Sequence, residues 1–231
     1  MDLPRKLLAE FLGTALLLAT VVGSGVMGVA LSAGNDGVAL LANASATAGI
    51  LYILIVVLGP ISGAHFNPAV TLVMRVRGEL GNSEALAYIA TQVVAAVLGV
   101  LLAHAMFGLA LLQPGTHART GAAQWLSEGV ATFGLVLTIL LGVRHRMSAV
   151  PALVACYIFA AYWFTASTSF ANPAVTLARS LTQSFAGIRP VDVAGFVLAQ
   201  LAGALLAMGV ASALSASPRA GREHDEARKP A

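Results

Sequence analysis

The sequence predicts an all-α membrane protein built from six transmembrane helices and two re-entrant half-helices, arranged as an inverted repeat. Three observations carry this prediction. Long stretches lack any Asp, Glu, Lys or Arg; the hexapeptide NPAVTL occurs twice, at residues 67–72 and 172–177; and a buried-type glutamate precedes each copy, at Glu10 and Glu128. Of the 231 residues, 58% are hydrophobic and 10% charged, whereas a soluble domain is roughly 25% charged. That composition excludes an ordinary soluble globule.

A span needs about 20 apolar residues to cross roughly 30 Å of hydrocarbon. Six stretches meet that need, at about 7–31, 38–58, 85–108, 122–143, 149–166 and 191–213. The first is a retained span, because its apolar run exceeds the roughly 7–15 residues of a signal-peptide core and Glu10 interrupts it. The membrane domain takes residues 1–214, and residues 215–231 read as a charged, disordered tail. Cys156, the only cysteine, reads as a small packing residue of the fifth span.

Basic residues set the orientation. Arg5, Lys6, Arg75, Arg77, Arg144, Arg146, Arg219, Arg222, Arg228 and Lys229 fall on the side of both termini, and only Arg119, Arg179 and Arg189 on the other. Cytoplasmic loops carry the Lys/Arg excess, so both termini are expected in the cytoplasm. This bias explains the net charge of +3 without a nucleic-acid partner.

The halves, about 5–113 and 120–213, echo each other. Glu10 and Thr14 match Glu128 and Thr132, Asn67-Pro68-Ala69 matches Asn172-Pro173-Ala174, and Gln92 matches Gln200. With three spans per half the second copy runs through the membrane upside down, an arrangement that places a functional site near the midplane at broken helices.

Asn is among the best N-cap residues and Pro is favoured at the first helical position, so each Asn-Pro starts a helix. From Pro68 to Arg77 there is room for about 15 Å of helix, half a bilayer. Two N-termini would meet at the midplane, each with roughly half a positive charge. The preceding ISGAHF and TASTSF segments supply irregular backbone, tolerated at that depth only when enclosed or lining a wet cavity. Each asparagine oxygen can serve its helix start while the amide NH₂ points into the cavity; an aspartate there would attract cations.

On AEFLGT at 9–14, SGAHFNPAVT at 62–71 and NPAVT at 172–176, the chain resembles the aquaporin family, the major intrinsic proteins, over about residues 5–213. The resemblance implies a pore in each subunit of a homotetramer, in a bacterial inner membrane. It also implies passive conduction of water or small uncharged solutes, without cofactor; no Ser-His-Asp set or zinc-spaced histidines stand in the spans, so neither a metal nor enzymatic activity is expected. Exclusion of cations by half-helix dipoles is an established property of aquaporin-type pores. Glu10 and Glu128 resemble loop supports, each accepting hydrogen bonds from the re-entrant loop of its own half, in preference to a proton relay. His65 reads as a pore-wall or loop-packing residue.

The departure from the family follows the second turn, where most members have arginine and this chain has Val175. That position is one of four in the family's selectivity filter. Gap-free counting from the two asparagines puts the others at Thr47, Ala160 and Ser169, all small and uncharged. Arginine fills volume and presents fixed donors that valine lacks, so the filter is expected to be wider and less polar. The resemblance is then to aquaglyceroporins associated with arsenic handling, with glycerol-like polyols and neutral metalloid species as solutes. A strict water channel and, from another class, a secondary transporter coupled to a proton or sodium gradient are the alternatives. Arg179, one helical turn after Val175, has two readings: a residue that reaches the outer vestibule and attracts anions or partly restores a positive barrier, or one that faces headgroups or caps the C-terminus of the half-helix.

Overall fold

A computed structural model describes residues 1–215 of the chain. Six long helices run as α1 (Leu3–Leu31), α2 (Asp36–Ser62), α4 (Asn82–Met106), α5 (Ala122–His145), α6 (Val150–Phe164) and α8 (Val193–Ser215), with two short ones, α3 (Pro68–Val76) and α7 (Pro173–Arg179), between them. All six long segments, α6 taken with the 3₁₀ turn Met147–Ala149 that leads into it, are long and apolar enough to cross a membrane. Ser215, expected to open the tail, instead closes α8, and the rest of the tail expectation lies outside the described residues.

Each element has a local cause. Pro4 sits in the first turn of α1, where a missing N–H costs nothing. The Asn35 side chain caps α2 by accepting from Val38 N at 3.1 Å. Gly63 ends α2 in the left-handed conformation, φ 87°, which favours glycine. Pro68 and Pro173 begin α3 and α7 behind capping asparagines. The half-helices span about 13 Å and about 10 Å at 1.5 Å per residue.

Packing follows the repeat: α1 crosses α4, α5 crosses α8, and α3 and α7 touch at the centre. Lipid tails are as apolar as the side chains, so close approach of small residues holds such helices together. A Cβ on Gly203 would lie 2.2 Å from the Gly129 carbonyl oxygen, and one on Gly99 would lie 2.3 Å from that of Ala15. Gly203→Leu is therefore expected to force α5 and α8 apart and cost about 1–3 kcal/mol, read as a lowered melting temperature of the detergent-solubilised protein. An unchanged melting temperature would show that the crossing is looser than this.

The single thiol differs from its expected role. Cys156 is exposed on the outer surface of the bundle, because α6 is apolar on every side and composition does not reveal which face turns inward.

Candidate functional site

The two re-entrant loops have matching backbones. Ala64 and Phe66, three and one residues before Asn67, have φ of 50° and 48°; Ser169 and Ala171, at the same distances before Asn172, have φ of 52° and 48°. Thr168 is also left-handed, at 60°. Such conformations cost about 1–3 kcal/mol each in non-glycine residues and persist only when the surroundings enforce them.

The enforcement comes from the two glutamates, both without solvent exposure. Glu10 Oε1 accepts from Ser62 Oγ at 2.7 Å and His65 N at 2.9 Å, while Oε2 accepts from Phe66 N at 2.7 Å and Gln92 Nε2 at 2.8 Å. Glu128 Oε1 accepts from Phe170 N at 2.8 Å, and its Oε2 from Ala171 N at 2.9 Å and Gln200 Nε2 at 2.5 Å. Each glutamine also donates to the threonine of its own half-helix, Gln92 to Thr71 Oγ1 at 3.0 Å and Gln200 to Thr176 Oγ1 at 2.7 Å. A carboxylate holding this many donors is engaged on both oxygens.

The asparagines close the centre by crossing over. Asn67 Oδ1 accepts from Ala69 N at 2.9 Å, and its Nδ2 donates to Ala171 O of the opposite loop at 2.8 Å. Asn172 Oδ1 accepts from Ala174 N at 3.0 Å and Val175 N at 3.3 Å, and its Nδ2 donates to Phe66 O at 2.7 Å. One amide hydrogen thus goes to the partner loop; the sequence did not reveal that bond, since it depends on how the halves dock.

A cavity of about 250 Å³ follows the axis past both asparagines. Glu79, Val143 and Val150 line it toward the face of the termini, and Thr47, Tyr162 and Arg179 toward the opposite face. His65 lines it too, with Nδ1 3.1 Å from Thr71 Oγ1. Pro68, Ala69, Pro173 and Ala174 start the half-helices behind it. Among the described residues no group of His, Cys, Asp and Glu is arranged to hold a metal ion.

Of the four expected filter positions, Thr47, Ser169 and Val175 line the cavity and Ala160 does not. Ala160 is exposed on the outer side of α6. The inward stripe of α6 runs through Val154, Ile158 and Tyr162, and Tyr162 brings a large ring and a hydroxyl where a methyl was expected. Tyr162 Oη lies 3.2 Å from Thr47 Oγ1.

Arg179 turns inward, away from the headgroups. It is 2% exposed and lines the cavity. Its Nε donates to Ala186 O, and its Cζ sits 3.3 Å from the centroid of the Phe170 ring, a contact worth about 2 kcal/mol when desolvated. The cavity wall thus carries small residues at Ser169 and Val175 and large ones at Tyr162 and Arg179.

Arg119, which the sequence marked only by its side of the membrane, braces this end. It donates to Gly187 O at 2.9 Å and Ser167 O at 3.0 Å, and its backbone N–H reaches Asp192 Oδ2 at 2.9 Å. Burial lowers its guanidinium pKa from the ordinary value, yet arginine stays protonated at physiological pH.

The comparisons with known proteins agree with this fold. The family model described as "Major intrinsic protein" matches residues 1–165. Aquaglyceroporin AqpS of Rhizobium meliloti (strain 1021) is 58% identical over 209 residues, 90% of this chain and 89% of that protein. A probable aquaporin, PIP2-8 of Oryza sativa subsp. japonica, is 34% identical over 168 residues, 66% of this chain and 58% of that one. The X-ray structure of the aquaglyceroporin from Plasmodium falciparum superposes with a TM-score of 0.75 over 90% of this chain and 95% of that chain, at 18% identity, and so shares the fold. On the family match, on the similarity to the Rhizobium protein and on the two half-helices meeting at crossed asparagines, this chain belongs to the major intrinsic protein family.

Proposed function

We propose that the chain is a passive transmembrane channel for glycerol-like polyols, neutral metalloid acids including arsenical species, and water. The observation that carries this reading is the cavity passing between the two half-helix N-termini with Val175 and Ser169 on its wall. Selectivity in such pores comes from diameter, lining hydrogen bonds and electrostatic barriers. A small residue at 175 relaxes the first on that wall. Neutral metalloid acids present several hydroxyls on one centre, as polyols do on adjacent carbons. The name of the 58%-identical relative, an aquaglyceroporin, supports the same solute class.

The channel is read as a homotetramer in a bacterial inner membrane, with both termini cytoplasmic as the basic residues require. The engagement of Glu10 and Glu128 in the loops speaks against a coupled transporter, which needs a carboxylate free to bind its ion. Enzymatic activity is no part of the reading. A strict water channel is the second reading, favoured by the room that Tyr162 and Arg179 take up.

The test is light-scattering swelling of proteoliposomes with water, glycerol and arsenous acid. Fast flux of all three, independent of a proton or sodium gradient, supports the proposal. Passage of water alone would replace it with the water-channel reading.

Cation exclusion gives a second expected result. Asn172→Asp sets a carboxylate between two helix N-termini and against Phe66 O, where Nδ2 now donates. Yield is expected to fall, and the channels that fold should leak cations. Potassium flux at the wild-type level in the folded fraction would remove the electrostatic role of this asparagine.

A further inference from the structure

A second cavity, of about 480 Å³, lies at the end of the bundle that holds both termini. Three segments end beside it. The half-helix α3 contributes its C-cap residue Arg77, α5 contributes Leu140, Val143 and Arg144, and α8 contributes Ala211 and Ser212. The 24 residues of α5 and the 23 of α8 run about 35 Å at 1.5 Å per residue, slightly more than the roughly 30 Å of hydrocarbon they cross. Their ends, and the cavity with them, therefore stand at headgroup level.

The two arginines are exposed and only partly engaged. Arg77 Nε donates to Glu79 Oε1 at 2.7 Å, and Arg144 Nη2 donates to the Ser215 carbonyl oxygen at 2.8 Å. Pairing with a neighbour and capping a helix end are ordinary tasks for arginine, and they hold each side chain in place. Among the described residues each is bonded through that nitrogen alone. A guanidinium carries five N–H donors in a fixed fork, so most of them stay available to an acceptor from outside. The rest of the lining is apolar apart from serine: Leu140 and Ala211 belong to the packed core between α5 and α8, and the Ser212 hydroxyl donates to Met208 O of its own helix.

We propose that this cavity binds an anionic phospholipid of the leaflet on the side of the termini. The lipid phosphate accepts from Arg77 and Arg144, and the glycerol and first methylenes lie against Leu140, Val143 and Ala211. The arginine fork matches phosphate oxygens two at a time, and basic pockets between transmembrane helices suit such headgroups. A free phosphate ion has nothing to set against the apolar lining, whereas a phospholipid satisfies both parts of the site. The cavity also adjoins the conduit. Val143 lines both, and Arg77 holds Glu79, which lines the conduit on that side. A bound lipid thus steadies that end of the path, whichever solute is conducted.

The experiment uses the full chain in neutral detergent, stripped of lipid. It is titrated with dioleoyl phosphatidylglycerol, with dioleoyl phosphatidylcholine and with inorganic phosphate. Bound lipid is counted by native mass spectrometry and the melting temperature is recorded. Phosphatidylglycerol is expected to bind saturably and to raise the melting temperature, and phosphatidylcholine to bind about tenfold more weakly. Arg77→Gln with Arg144→Gln should weaken phosphatidylglycerol by about tenfold, as loss of two basic residues at a membrane surface would. Ser212→Phe keeps both charges but fills the cavity, and should weaken it as much; if the arginine variant does not fold, Ser212→Phe decides. Arg5→Gln with Arg146→Gln removes the same charge from the same end, outside the cavity, and should retain wild-type affinity. Equal binding of the two lipids, or an equal loss in the Arg5 and Arg146 variant, would reduce the effect to diffuse surface charge and overturn the site. A full rise in melting temperature from inorganic phosphate alone would make it a free-anion site and overturn the lipid. A melting temperature lowered in lipid-free detergent by exchanging Glu223, Asp225 and Glu226 for glutamine, with no gain from phosphatidylglycerol in the wild type, would make that acidic segment the occupant instead.

Discussion

Glu10→Gln is expected to remove most of the folded protein, although it changes only one oxygen to a nitrogen. The carboxylate accepts from Ser62 Oγ, His65 N, Phe66 N and Gln92 Nε2. An amide keeps one acceptor oxygen and turns N–H groups toward donors. Orphaning two or three buried donors at about 1–3 kcal/mol each gives roughly 2–9 kcal/mol, against a total stability of about 5–15 kcal/mol for a typical domain. The loss is compounded by Ala64 and Phe66, whose left-handed backbone relaxes once the carboxylate lets go. Yield and melting temperature in detergent are the measurements, and Glu128→Gln should behave alike. A normally assembled Glu10→Gln protein whose transport had lost a dependence on a proton gradient would make Glu10 a transport group and revive the coupled carrier.

Val175→Arg should cut glycerol permeability by tenfold or more and water permeability by less. Val175 is 5% exposed and on the cavity wall, so a longer side chain there must enter the conduit. The opposing force is Arg179, one turn on. Two guanidinium groups about 6 Å apart repel by about 3 kcal/mol at an effective dielectric constant of about 20, enough to push the new side chain aside. Val175→Arg with Arg179→Gln removes that repulsion and keeps a donor for Ala186 O, so the narrowing should be at least as large. Swelling against water, glycerol and arsenous acid at matched protein density reads the effect. Glycerol flux unchanged in the double variant would place position 175 outside the narrow part of the path.

Six spans and two half-helices were legible in the sequence because their signals are local. Charge-free stretches of span length, an Asn-Pro start and a basic residue near the end of each half-helix need no knowledge of what packs where. The repeat of Glu10, Asn67 and Gln92 in Glu128, Asn172 and Gln200 also fixed which residues would share a role. Position around the helix axis was not legible in the same way. In a soluble helix the apolar stripe points inward, but in lipid both faces of α6 are apolar, and counting without gaps chose Ala160 over Tyr162. The same degeneracy hid the outward turn of Cys156. Arg179 was beyond the sequence for another reason: its burial depends on Phe170 and on the Ala186 carbonyl, which come from segments on either side of α7 that only the folded chain brings together. What the sequence determined by itself was which residues start, span and repeat. The tertiary structure alone decided which side chains face the conduit, because that choice is made by packing between helices and not by the chain's own preference for water or lipid.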